Sequence, residues 1–203
     1  MIVDAVKYPL TDDDYLKTLV IGSLLVVGSV LVLPLFVLLG FFTRAIGNAM
    51  DGDPPPQFEE YGSLFFDGLK LTAVFLPYLL VFVVLLFLVS LAGSISEPAG
   101  IAAFLILVPV YFGLVYLGTS ILFHFCRRRR MRDAFELRAI LDTAFGLRYL
   151  VVVLLWLIVL PTLFTIGQMV LAVTIIGLLV VPATLVYELI VYAKLIGDLT
   201  EFT

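Results

Sequence analysis

The sequence predicts an all-α, polytopic transmembrane helical bundle of about five spans with interfacial amphipathic helices. Three observations predict it. Four long stretches carry no charged residue: Thr18 to Thr43, Leu71 to Ser96, Pro98 to Phe123, and Tyr149 to Tyr187. Hydrophobic residues make up 63% of the chain and charged ones 14%, against roughly 45–50% and 25% in soluble domains. The arginines gather in one connector instead of being spread along the chain. A spanning helix needs about 20 mostly apolar residues, and it is viable because its backbone groups bond within the helix itself.

The first run, 18–43, is the least certain as a single crossing. Its 26 residues would extend about 39 Å as one helix, more than the ~30 Å hydrocarbon core. It must tilt, kink or turn back, and Gly28, Ser29 and Pro34 offer places to break. A single crossing, the reading taken here, gives five spans with the N-terminus outside. A re-entrant hairpin would put Lys7 and Lys17 inside. The second and third runs, 71–96 and 98–123, each match one span. The fourth stretch is about twice the length that one span needs, and Gly167-Gln168 near its middle predicts a turn between spans over 149–166 and 169–195. Five crossings use up most of the 203 residues and make a single membrane domain. Asp4 and Asp12 to Asp14 stand where a secretory signal would be basic, so no leader is expected.

Two further segments have helical periodicity ahead of a run. In 58–70, Phe58, Tyr61, Leu64, Phe65 and Leu69 share one face. In 132–148, Leu137, Ile140, Leu141, Ala144 and Phe145 form a stripe opposed by Glu136, Arg138 and Asp142. Both patterns predict helices lying in the membrane interface. Pro34, Pro77, Pro109, Pro161 and Pro182 lie inside the runs, where proline removes a backbone donor and kinks a helix. Proline is also simply common in membrane helices.

Orientation follows from the basic residues. Arg127, Arg128, Arg129, Arg130 and Arg132, with Arg138 and Arg148, occupy the 126–148 connector, whereas the connector from Gly93 to Gly100 holds only Glu97. Lys and Arg in short loops mark the cytoplasmic side. The 126–148 connector, the C-terminus and 44–70 are therefore expected inside a cell membrane, and 93–100 outside. Net charge is −4 with eight arginines and four lysines. Exposed acids at Asp12 to Asp14, Asp51, Asp53, Glu59 and Glu60 suit concentrated salt, which screens their repulsion.

The residues also resemble a known family. Asp4-Ala-Val-Lys-Tyr-Pro9, Asp14-Tyr-Leu-Lys17 and Ile21-Gly-Ser-Leu-Leu25 come first. Gly40-Phe-Phe-Thr-Arg44, Asp51-Gly-Asp53, Pro56-Gln-Phe58, Tyr61-Gly-Ser-Leu-Phe65 and Asp67-Gly-Leu-Lys70 follow. Together they resemble the archaeal integral membrane family known as domain of unknown function 4013, held in many copies by halophilic archaea. The resemblance is specific over the first 70 residues or so. It implies a membrane protein of a halophilic archaeon and no activity, ligand or cofactor. Tyr15 and Tyr61 stand where the family often carries Trp.

No catalytic motif is present: no metalloprotease helix, nucleophile elbow, P-loop or paired cysteines. One histidine, His124, and one cysteine, Cys126, exclude a multi-histidine site and an intrachain disulfide. No enzyme, cofactor or metal is expected. Arg127, Arg128, Arg129, Arg130 and Arg132 could bind anionic lipid headgroups or an acidic partner, or simply anchor the topology; nucleic acid is disfavoured because no reading fold accompanies them. Glu188 is the one acid inside the 169–195 run. It is expected to pair with Arg148 first or Arg44 second, or else to line an ion path. The expected function is a non-enzymatic scaffold or assembly component contacting lipid, its own copies or another membrane protein. The alternative is a small transporter or channel using Glu188.

Overall fold

The computed structural model describes residues 2–128 and 135–202, and every regular element among them is helical. In chain order these are α1 (Ile2–Lys7), α2 (Tyr15–Gly28), α3 (Leu33–Asp51), α4 (Tyr61–Ile95) and α5 (Glu97–Arg128). After them come α6 (Leu137–Ala144), α7 (Leu147–Leu154), α8 (Leu160–Ala172) and α9 (Ile175–Gly197). The segment Leu155–Val159 is a π-helical turn that joins α7 to α8 without a break. Pro161 explains its position: lacking an N–H, it leaves the carbonyl four residues back unpaired, and a widened turn accommodates the ring.

Five helices among the described residues are long and apolar enough to cross a membrane: Leu33–Asp51, Tyr61–Ile95, Glu97–Arg127, Tyr149–Ala172 and Ile175–Thr200. The chain is a multi-pass membrane protein. The first of the five, however, uses only the second half of the 18–43 run. That run does not continue as one helix. It stops after Leu31, passes through Val32 at φ 65° and restarts as α3, with Pro34 in the first turn. Proline is at home there because its missing N–H needs no partner.

The two halves then return to the same place. Gln57, just after α3, donates to Asp12 at 3.2 Å and to Asp14 at 3.4 Å, just before α2. Tyr8 donates its hydroxyl to the Asp53 carbonyl at 2.8 Å. Helices that start and end within a hydrogen bond of one another are antiparallel, so α2 and α3 form a hairpin. This corrects the single crossing. It also brings the N-terminal segment against the C-terminal part of α9, where the Lys194 ammonium lies 5.6 Å from the Tyr8 ring centre.

Two other boundaries differ from expectation. The interfacial helix of 58–70 is not separate, since α4 runs unbroken from Tyr61 through 35 residues, about 52 Å. The turn at Gly167-Gln168 is not there either: α8 continues to Ala172. The chain reverses at Val173-Thr174, where the Thr174 hydroxyl caps α9 by accepting from the Gly177 N–H at 2.9 Å. A glycine inside a helix costs about 1 kcal/mol, less than an uncapped helix end in lipid. A threonine cap decides the turn.

The buried residues form one cluster. It draws on Ala5 and Tyr8 near the N-terminus, most of α3, the N-terminal part of α4, the C-terminal parts of α5 and α9, and parts of α6 and α7, with Leu19, Ile21, Leu25 and Val26 of α2 packed against it. α3 runs through its middle. It approaches α4 so closely that a Cβ on Gly40 would sit 1.8 Å from the Leu64 carbonyl oxygen, and one on Gly68 1.8 Å from that of Phe36. Only glycine fits at either position. Beyond the cluster, the later part of α4, the first part of α5 and the α8–α9 turn are apolar and exposed, with Ile95, Val173 and Ile175 each about four-fifths uncovered. Such surfaces belong in lipid.

Candidate functional site

Glu188 is held inside the α8–α9 pair. Its carboxylate accepts from the Gln168 amide at 3.1 Å and from the Tyr192 hydroxyl one turn along α9. Side chains tilt toward their helix N-terminus. On antiparallel helices the Glu188 chain and the Gln168 chain therefore lean toward each other along the axis and meet. Tyr192 in turn packs edge-on against Trp156, ring centres 6.0 Å apart. Glu188 is thus held by two neutral donors from its own hairpin.

Arg44, the second expected partner of Glu188, is engaged elsewhere. Arg44 donates to Asp67 at 3.0 Å, and its guanidinium lies 3.8 Å from the Glu60 carboxylate. Lys70 completes the group at 3.1 Å from Asp67. Arg44 fastens α3 to α4 instead. Arg148 belongs to α7, and its side chain lies outside the described residues, as does that of Arg128. Of the arginine run, Arg127 is exposed with its guanidinium 6.0 Å from the Phe123 ring centre, and Arg129, Arg130 and Arg132 lie outside the described residues.

Among the described residues, the connector from Gly52 to Glu60 is tied from several sides. α3 ends at Gly52, whose φ of 79° is the left-handed conformation that closes a helix. The Asn48 amide then donates to the Pro54 carbonyl at 3.0 Å. Tyr8 holds Asp53, and Gln57 reaches the acids before α2. Phe58 turns inward and stacks on Phe41 at 4.1 Å. Asp12, expected in water, is buried instead, where it accepts from Gln57, from the Thr18 hydroxyl at 3.2 Å and from the Asp14 N–H. Asp13, Asp14, Asp51, Asp53, Glu59 and Glu60 stay exposed around this framework.

A third polar set joins α5 to α6. Tyr116, Ser120 and His124 stand four residues apart, hence on one face of α5. Tyr116 donates to the Ala144 carbonyl and Ser120 to that of Ile140 at 3.0 Å. His124 Nε2 lies 3.2 Å from the Ala139 carbonyl and 3.0 Å from the Thr143 hydroxyl. The expected interfacial helix is therefore an eight-residue helix lying along the side of α5. Ile140 and Ala144 face inward, while Leu141 and Phe145 face out. Its predicted residues 132–134 lie outside the described set.

Sequence reading missed Gln168 as a partner of Glu188, Gln57 as the clasp of the first hairpin, and the Tyr116-Ser120-His124 face. Gln168 and the Tyr116-Ser120-His124 face carried a signal, an isolated polar side chain and a four-residue polar period in apolar stretches, whereas Gln57, in a polar connector, carried none.

The chain belongs to a protein family: the model for "Protein of unknown function (DUF4013)" matches residues 22–181. No curated protein and no solved structure matches.

Proposed function

We propose that this DUF4013 protein is a non-enzymatic scaffold of the cell membrane that docks a basic segment of a partner protein on the pinned 52–60 connector. The observation that carries the reading is that a proline-rich, acidic connector is fixed from several sides while its carboxylates point to solvent. A surface ordered before binding does not lose that entropy on association, which favours affinity. The orientation that fits is with this connector, the C-terminus and the arginine run in the cytoplasm. The acidic, lysine-poor exterior suits the salt-rich cytoplasm of a halophilic archaeon. Anionic lipid at the arginine run, or further copies of the chain around the exposed apolar helices, would complete its surroundings.

The test uses a photo-crosslinking side chain at Glu59 in native membranes. Expected is a discrete protein adduct that Glu60→Lys abolishes. Labelling of lipid alone would end the scaffold reading. Orientation is tested in a Cys126→Ser background with Glu59→Cys and Ser94→Cys. An impermeant thiol reagent on intact cells should reach position 94 and not 59.

One observation favours a second reading. Glu188 is an acid within a spanning helix, held by two neutral donors, and intramembrane acids commonly mark ion paths. Proton flux in liposomes that Glu188→Gln abolishes would replace the scaffold with a transporter.

A further inference from the structure

Glu188 stands on α9 six residues before Lys194, about 9 Å along the axis, inside a helix long and apolar enough to cross the membrane. Both of its carboxylate oxygens accept from neutral donors, one from the Gln168 amide at 3.1 Å and the other from the Tyr192 hydroxyl. A carboxyl group that only accepts is hydrogen-bonded in its ionised form, because the neutral acid has a proton to donate. Among the described residues, no Lys or Arg side chain lies within ion-pair distance of it. Arg44 and Lys70 are with Asp67, and Lys194 is with Asp198 at 2.7 Å. An ionised group in hydrocarbon is costly unless an opposite charge stands beside it.

The surroundings supply further oxygens but no second charge. A half-turn of the Gln168 amide exchanges its N–H for its carbonyl oxygen, and the Tyr192 hydroxyl oxygen keeps lone pairs beside the carboxylate. Thr184 stands one turn before Glu188 on the same face of α9. Its hydroxyl donates to the Val181 carbonyl at 2.8 Å, which leaves the oxygen able to accept. Gln168 and Thr184 share the wall of a cavity of about 270 Å³ between α8 and α9, with Val6 of α1 beside them. Gln168 therefore touches both this cavity and Glu188. Among the described residues, no three His, Cys, Asp or Glu side chains gather to hold a metal ion, so a divalent metal finds no ligand set. One carboxylate among neutral oxygens matches a hard cation of single charge.

We propose that Glu188, Gln168 and Tyr192 form a binding site for a monovalent alkali cation, entered from the cavity past Gln168. A proton alone matches the site less well, since both neighbours of the carboxylate are donors. The proposal rests on the second reading above, in which Glu188 marks an ion path, and it names the ion. Binding is measured without transport, so the two fail separately.

The probe is dicyclohexylcarbodiimide, an apolar reagent that modifies protonated carboxyl groups within a bilayer. It is applied to the intact protein in nanodiscs at fixed pH, and the modified residue is mapped by mass spectrometry. Expected is labelling at Glu188 that sodium or potassium chloride slows saturably and choline chloride of equal ionic strength does not. At a cation concentration about ten times its Kd, the slowing should be about tenfold. Gln168→Leu should still be labelled at Glu188 but lose the protection. Tyr192→Phe, which keeps the ring that packs on Trp156, should weaken it, with fold checked in both variants by thermal melting. Labelling equal in all three salts overturns the proposal, as does protection undiminished in both variants. Proton flux without cation protection would keep the transporter and remove this site. Protection without flux would keep the site and remove the transporter.

Discussion

α3 and the α4–α5 pair are opposites. In α3, 44% of the apolar window is buried within the protein, against 6% in each of α4 and α5. Yet α3 is the least apolar of the five span-length helices, and α4 the most. In water the order would be reversed, because burial would follow hydrophobicity. In a bilayer, lipid tails satisfy leucine as well as protein does, so helices associate where small residues let backbones approach. α3 carries Gly40, Thr43, Ala45, Gly47 and Ala49 along its buried length. α4 and α5 spend their large side chains on lipid. Within this chain, apolarity marks contact with the membrane and small residues mark contact with protein.

The sharpest way to break that comparison is one substitution made in both regions. Gly68→Ala forces a Cβ against the Phe36 carbonyl, which cannot move without parting α3 from α4. It should cost at least about 3 kcal/mol and abolish the monodisperse peak in detergent chromatography. Gly113→Ala, with nothing within 4 Å of the new atom, should be neutral or raise the melting temperature slightly, through better helix propensity. Equal effects would mean that the α3–α4 contact is not the organising one.

Truncation of leucine should show the same contrast more mildly. Leu64 is fully buried and Leu105 is 64% exposed. Leu64→Ala should lose about 2–5 kcal/mol in reversible unfolding from mixed micelles. Leu105→Ala should change stability by under ~0.5 kcal/mol.

Arg44→Gln comes next. It removes the charged partner that ties Asp67 to α3, and both side chains are about three-quarters covered. A loss of about 1–3 kcal/mol is expected. Asp67→Asn in the same chain should add less than it does alone, because the two share one interaction. Additive effects would remove Arg44 from the α3–α4 joint.

The smallest effect carries a diagnostic sign. Val32 holds φ 65°, a conformation that a β-branched residue adopts only under strain. Val32→Gly should therefore stabilise by roughly 1 kcal/mol. Were the 18–43 run a straight helix, the same change would destabilise by about as much. A thermal melt in detergent reads the sign.

Much of this was legible in advance. The uncharged runs mark where the chain meets lipid, because charge is excluded there whatever the packing. The break near Gly28, Ser29 and Pro34 was visible as a weakness, but whether the chain bends or reverses there depends on Gln57, Asp12, Tyr8 and Asp53, partners about 45 residues apart. Gly167 looked like a turn because glycine breaks helices in water. The turn lies six residues on, where a threonine can cap the next helix. Glu188 stood out as an acid near an apolar run, while its partners depended on the antiparallel register of α8 and α9, which composition does not encode.

The sequence by itself determined the solvent of this protein: lipid around its apolar helices, with water at the acid-rich connectors. Those are properties of single segments, set by what each side chain costs in hydrocarbon. Tertiary structure decided which segments touch. It put the small-residue helix at the centre, gave Arg44 to Asp67, turned the first run back on itself and left the Trp156 indole without an acceptor. These outcomes depend on distances between residues far apart in the chain, and in a bilayer hydrophobicity cannot choose among them because it favours every apolar face equally.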